Sequence, residues 1–195
     1  DEIVSFAATD IGPGQVDGWG GYVAGVAWAL RDSGAVVGDL DLVMDSDVPL
    51  GAGLSSSAAL ECAVAAAWSD LFGTGLDATA LAKICQRAEN EYVGAPTGVM
   101  DQMAAMHGRA SHAVFLDTRS LAVAHVPFQL APAGLALVVI DTKAPHRHAD
   151  GEYASRRRDC EEAARLLGVP ALRDATLRDV DRLPATLLPR ARHVV

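Results

Sequence analysis

Between positions 16 and 30 the apolar residues Val16, Trp19, Val23, Val26, Ala27 and Leu30 recur at intervals of three and four, which predicts an amphipathic helix. Gly18, Gly20, Gly21 and Gly25 lower its intrinsic propensity and point to close packing. From Leu40 to Val48 apolar and acidic residues alternate, as in Leu40-Asp41-Leu42 and Met44-Asp45; this predicts a strand ended by Pro49. Beyond a glycine–serine loop, Ala58 to Trp68 is almost uniformly apolar and predicts a buried helix reaching about Phe72. Leu81, Ile84, Cys85, Ala88 and Tyr92 form the apolar stripe of a helix from about Asp77 to Val93. The breaker segment 94–98 precedes a short helix over 99–107. Ala113–Asp117 and Leu121–Val126 read as a hairpin around Thr118-Arg119-Ser120. The apolar run Leu135–Asp141 has the length and composition of a strand. A charged helix over 151–168 and two short helical pieces complete the chain, with no repeat or low-complexity linker. Strands, hairpin and helices mix without βαβ alternation, so the predicted class is α+β.

Composition narrows the partners. The 195 residues, 50% of them hydrophobic, suffice for one sizeable core or parts of two domains. A net charge of −9 argues against nucleic acid or an anionic membrane as the main partner. It does not argue against a nucleotide, because a local cradle of amides with a cation outweighs a global field. Cys62, Cys85 and Cys160 are far apart and show no metal-ligand spacing, which predicts buried, reduced thiols. The sequence has no signal peptide and no apolar run of roughly 18 residues, so a soluble cytoplasmic protein is expected. A start at Asp1 without methionine and an unfinished-looking Arg190-Ala191-Arg192-His193-Val194-Val195 lead to the expectation of a fragment.

The loop that joins the predicted strand to the buried helix carries the candidate chemistry. Gly51 and Gly53 allow close backbone approach to a ligand and positive φ, and the serines after them offer hydroxyls to a phosphate or a metal ion. An ordinary turn is the commoner reading of such a loop. Three familiar motifs are excluded by residue type: Ser56 stands where a dinucleotide fingerprint needs its third glycine, neither Lys83 nor Lys143 neighbours a glycine as a Walker loop requires, and no glycine follows the serines as in a nucleophile elbow. Glu89 flanks the apolar stripe of its helix; from that position alone a solvated glutamate is the commoner case. Asp101 falls in the first turn of the helix after Gly98, where the dipole favours an anion, and simple charge complementarity explains it equally well. His146-Arg147-His148 lacks the third ligand of a zinc site and reads as a loop near the substrate.

Pro49 to Ala58, Pro-Leu-Gly-Ala-Gly-Leu-Ser-Ser-Ser-Ala, closely resembles the second motif of the GHMP small-molecule kinases, Pro-x-x-x-Gly-Leu-x-Ser-Ser-Ala. Within that superfamily the chain looks most like the galactokinase family. Gly98-Val99-Met100-Asp101-Gln102 is similar to that family's Gly-Ile-Met-Asp-Gln, and Ala88 to Gly94 resembles its Ala-Glu-Asn-x-Phe-Val-Gly. Glu152 to Glu161 resembles Glu-Tyr-x-x-Arg-Arg-x-x-Cys-Glu, and Trp19 and Tyr22 match a helix near the adenine.

The resemblance implies a two-domain GHMP-kinase fold. Residues 1–130 would be the remainder of a ribosomal-protein-like, ATP-binding N-terminal domain, and 131–195 the start of an α+β C-terminal domain. It implies phosphorylation of the anomeric hydroxyl of α-D-galactose by ATP with Mg²⁺. Gly51, Ala52, Gly53, Leu54, Ser55, Ser56 and Ser57 would then bind ATP, Ser57 and Glu89 would hold the metal, and Asp101 would be catalytic. Gly98, Asp101 and Tyr153 would meet the sugar. A kinase of a related sugar and a sugar sensor with little catalysis stay open as alternatives. The implied partners are ATP and galactose, without nucleic acid or membrane, in a protein that is a monomer at full length. Thr97, where a cysteine is common, and Thr142, where some members have serine, are expected to leave the chemistry untouched. The family's first motif is expected ahead of residue 1 and its third beyond residue 195, so this stretch alone is expected to be inactive.

Overall fold

In the computed structural model, which describes residues 2–140 and 151–195, the glycine-rich stretch folds as α1, Trp19–Asp32. Its buried face is Val23, Ala24, Val26, Ala27 and Leu30, with the glycines on the crowded side. A Cβ on Gly25 would stand 3.2 Å from the Cβ atoms of both Ala88 and Tyr92. Glycine there sets how closely α1 approaches the segment that carries Glu89.

The apolar run becomes α2, Ser56–Phe72, which starts two residues earlier than its hydrophobic pattern predicts and stops at Gly73 in the left-handed conformation. α3, Ala78–Arg87, is capped by Asp77, whose carboxylate accepts the Ala80 N–H at 2.7 Å. It runs straight into a π-helical stretch, Ala88–Val93, terminated by left-handed Gly94. α4 is Met100–His107. One core spans these helices, with Leu30, Ala65, Trp68, Leu81, Cys85 and Tyr92 among its buried members. Arg31 ties the preceding segment to it by donating to the carbonyls of Ala8 at 3.0 Å and Ile11 at 2.8 Å.

The predicted hairpin is present as β1, His112–Leu116, antiparallel to β2, Val123–Pro127, with Val114 opposite His125. It is the only sheet among the described residues. Two expectations fail here. Residues 40–48 and 135–140 enter no ladder, although their patterns are strand-like. A strand is defined by a neighbour about 4.8 Å away, and neither segment has one among the described residues. Val43 is fully exposed and Ile140 79% exposed, whereas Leu40 and Leu42 pack partly against the core.

The chain divides into two compact units after residue 147. The second contains α5, Glu152–Leu167, α6, Leu177–Val180, and α7, Leu188–Val194, around a small core of Ala163, Ala164, Leu172, Val180, Leu183 and Ala191. Thr176 and Asp179 form a reciprocal capping box on α6. The fold is α+β, as predicted. No helix among the described residues is long and apolar enough to cross a membrane. Thr142 and His146-Arg147-His148 lie outside the described residues.

Candidate functional site

The loop over 51–57 makes its turns through positive φ at three positions, Gly51 at 70°, Gly53 at 70° and Ser55 at 57°. Two are glycines, for which this region carries no Cβ penalty. Ser55 is not, and it is the residue that turns the chain into α2. No side chain caps that helix. The first-turn N–H groups of a 17-residue helix therefore have no side-chain acceptor, and the positive end of its dipole lies beside the loop. Backbone of this kind receives anions.

From the first turn of α2, Ser57 Oγ donates to Glu89 Oε1 at 2.8 Å. Glu89 arrives from the π-helical stretch, and its side chain is buried, with the residue only 3% exposed. The solvated position suggested by its place on the helix is thus not the one it takes. Its second oxygen, Oε2, accepts from Thr97 Oγ1 at 2.7 Å and from Gln102 Nε2 at 2.8 Å. Thr97 comes from the breaker segment and Gln102 from the first turn of α4, so four chain segments converge on one carboxylate.

Gln102 also donates to Glu61 Oε2 at 3.3 Å. Glu61 is fully buried, and burial first, then the neighbouring Glu89 charge, pushes its pKa from the ordinary 4.5 up to about 9. It is a neutral acid at pH 7. That state explains how its Oε1 is buried without a partner, since an unpaired oxygen costs far less on a neutral acid than on a carboxylate. The same two acids, behind burial, raise the Tyr22 phenol above its usual range. Cys62 donates weakly to the Gln102 carbonyl at 3.7 Å. A hydrogen bond with Cys62, followed by burial, raises the Cys85 thiol pKa, so this thiol is held protonated and unreactive.

Asp101 precedes Gln102 in the first turn of α4, half-buried, and has no hydrogen-bond or ion-pair partner among the described residues. Gly98 is exposed just ahead of that helix. Tyr153 stands in the second unit, in the first turn of α5, 48% exposed. The structure therefore brings Ser57 and Glu89 into direct contact and places Asp101 next in sequence to Gln102, which hydrogen-bonds Glu89. A cavity of about 390 Å³ in the first unit is lined by Trp19, Val23, Gly38, Leu40, Met44 and Trp68, and by none of residues 51–57, 89 or 101.

Three residues of this cluster have no assigned role in the sequence reading: Glu61, Thr97 and Gln102. Glu61 does leave a trace, as the single charged residue in the apolar run 58–68. Thr97 leaves none. Thr97, expected to leave the chemistry untouched, hydrogen-bonds Glu89, the residue expected to hold the metal.

The donor set fits a small hard cation. Among the described residues no group of three or more His, Cys, Asp or Glu is placed to hold a metal, so a caged zinc or calcium site has no support. One carboxylate oxygen and one hydroxyl oxygen 2.8 Å apart are a different matter. Adjacent ligands of an octahedron with bonds of about 2.0–2.1 Å, as for Mg²⁺, lie about 2.9 Å apart. Phosphate oxygens and water would supply the remaining positions.

The family model described as "GHMP kinases N terminal domain" matches residues 21–109, which include the loop, Glu89 and Asp101. A galactokinase of Streptomyces coelicolor is 51% identical over 178 residues, covering 91% of this chain and 46% of that protein. One from Mycobacterium tuberculosis is 46% identical over 190 residues, 95% of this chain and 52% of that protein. The crystal structure of Lactococcus lactis galactokinase complexed with galactose superposes with a TM-score of 0.78 at 27% identity, covering 93% of this chain and 50% of that one. The chain spans about half the length of the curated relatives it matches.

Proposed function

The chain belongs to the GHMP-kinase family and is galactokinase-like, and on that premise we propose that the protein transfers the γ-phosphoryl group of ATP to the anomeric hydroxyl of α-D-galactose. The observation that carries this reading is the contact of Ser57 with buried Glu89 at the foot of an uncapped helix N-terminus. Amides of Gly51 to Ser57 cradle the phosphates. Ser57 and Glu89 hold Mg²⁺, which when bound neutralises charge on the phosphate oxygens. Phosphoryl transfer demands little else beyond alignment of the acceptor. Asp101 meets that need: a half-buried carboxylate with no partner among the described residues can accept or orient the sugar hydroxyl proton. Gly98 and Tyr153 are the further sugar contacts we assign.

In this reading residues 1–130 are part of the ATP-binding domain and 131–195 begin the second domain. The protein acts in the cytoplasm, as a monomer, without nucleic acid or membrane. In a protein that also carries the family's first and third motifs, Asp101→Ala should lower turnover of galactose at least about 100-fold, the scale of a positioned acid–base group, while the dissociation constant of Mg·ATP changes little. Turnover equal to wild type would remove Asp101 from the chemistry.

A further inference from the structure

We propose that Thr97 and Gln102 restrict Glu89 to a one-oxygen ligand, and that this restriction makes the site select Mg²⁺ or Mn²⁺ over Ca²⁺. The inference rests on the reading above, in which Ser57 and Glu89 hold the cation. The argument starts from lone pairs. Oε2 of Glu89 receives an O–H from Thr97 at 2.7 Å and an N–H from Gln102 at 2.8 Å. Two donors occupy both of its in-plane lone pairs. Among the described residues Oε1 accepts only the Ser57 hydroxyl, at 2.8 Å, which leaves it one lone pair for a cation.

Neither donor is loosely held. The Thr97 hydroxyl has one proton, and Glu89 at 2.7 Å takes it in preference to Asn90 Oδ1 at 3.3 Å. Asn90 Oδ1 instead receives the Thr97 backbone N–H at 2.8 Å, while Asn90 Nδ2 donates to the Thr97 carbonyl at 3.2 Å. These bonds fix the threonine backbone. Gln102 is oriented from its other side by buried Glu61 at 3.3 Å. Rotating Glu89 to offer both oxygens would break two hydrogen bonds to a charged group within a buried site.

Ca²⁺ takes six to eight oxygens at about 2.3–2.6 Å and uses bidentate carboxylates readily, whereas Mg²⁺ takes six at about 2.0–2.1 Å. A monodentate carboxylate serves the smaller ion at no loss. It denies the larger ion one of its ligands, and octahedral neighbours around Ca²⁺ would stand about 3.4 Å apart, wider than the 2.8 Å held here. Thr97 and Gln102 are positioning residues in this scheme.

The test is calorimetric and needs no turnover: dissociation constants of Mg·ATP and Ca·ATP for wild type, Thr97→Val, Thr97→Ser and Glu89→Gln. Wild type binds Mg·ATP more tightly. Thr97→Val, which keeps the shape and removes the donor, narrows the Mg/Ca ratio roughly threefold or more, and Thr97→Ser restores it. If Glu89→Gln collapses the ratio while Thr97→Val matches wild type, the inference fails and the ligand assignment stands. If Glu89→Gln also matches wild type, the ligand assignment itself fails. A ratio narrowed equally by Val and Ser would assign the effect to packing and overturn the role of the hydroxyl.

Discussion

Glu61 and Glu89 lie side by side in the core, yet the chain treats them in opposite ways. Glu89 accepts three hydrogen bonds, from Ser57, Thr97 and Gln102. Glu61 accepts one long bond and keeps its proton up to about pH 9. The sign of the consequence is fixed by linkage. The unfolded chain releases this proton near pH 4.5 and the folded chain does not, so the stability it contributes is complete below 4.5 and is lost as pH rises toward 9. Glu61→Gln should flatten the fall in stability across that window and, at pH 8, exceed wild type by about 2 kcal/mol or more; urea titrations at pH 5 and 8 measure it. At this scale the sequence was only partly legible. Ser57, Glu89 and Asp101 stood out through the motifs that contain them. Thr97 did not, because its role depends on the chain doubling back after Gly94, which no local pattern encodes.

α1 and α3 lie close to where their apolar stripes predict helices, and α2, α4 and α5 lie close to the apolar run, the post-breaker segment and the charged segment read as helical. The π-helical stretch Ala88–Val93 was invisible in that pattern, since one widened turn leaves the surrounding stripe intact. It nevertheless sets the position of Glu89. The segments 40–48 and 135–140 mark the opposite failure: strand-like alternation was plain, but a ladder needs a partner that alternation does not name. Gly25 links packing between elements to the site. Gly25→Val would place its branched side chain against the Cβ atoms of Ala88 and Tyr92, already 3.2 Å from a bare Cβ. Overpacking of this kind costs about 1–3 kcal/mol, so the urea midpoint should drop. Because the strain falls on the stretch carrying Glu89, the Mg²⁺ concentration needed for nucleotide binding should rise as well. An unchanged midpoint would mean that α1 and this stretch have slack that the close approach does not suggest.

At the scale of the molecule, one core in the first unit carries the loop, the acid pair and the first turn of α4, and a separate small core organises the last 48 residues. The α+β class and membership of the GHMP kinases were both legible from order and motif, and the fold of a galactokinase overlays 93% of the chain. The role proposed for Ser57 and Glu89 is to hold Mg²⁺ during phosphoryl transfer to galactose. A Mg²⁺ titration of galactose 1-phosphate formation at fixed ATP, comparing wild type with Glu89→Ala in a protein that also carries the family's first and third motifs, measures that hold. The variant should reach half-maximal rate only at a Mg²⁺ concentration at least about tenfold higher, the loss of one charged ligand being worth about 1.4 kcal/mol or more. Coincident Mg²⁺ curves for the two proteins would contradict it.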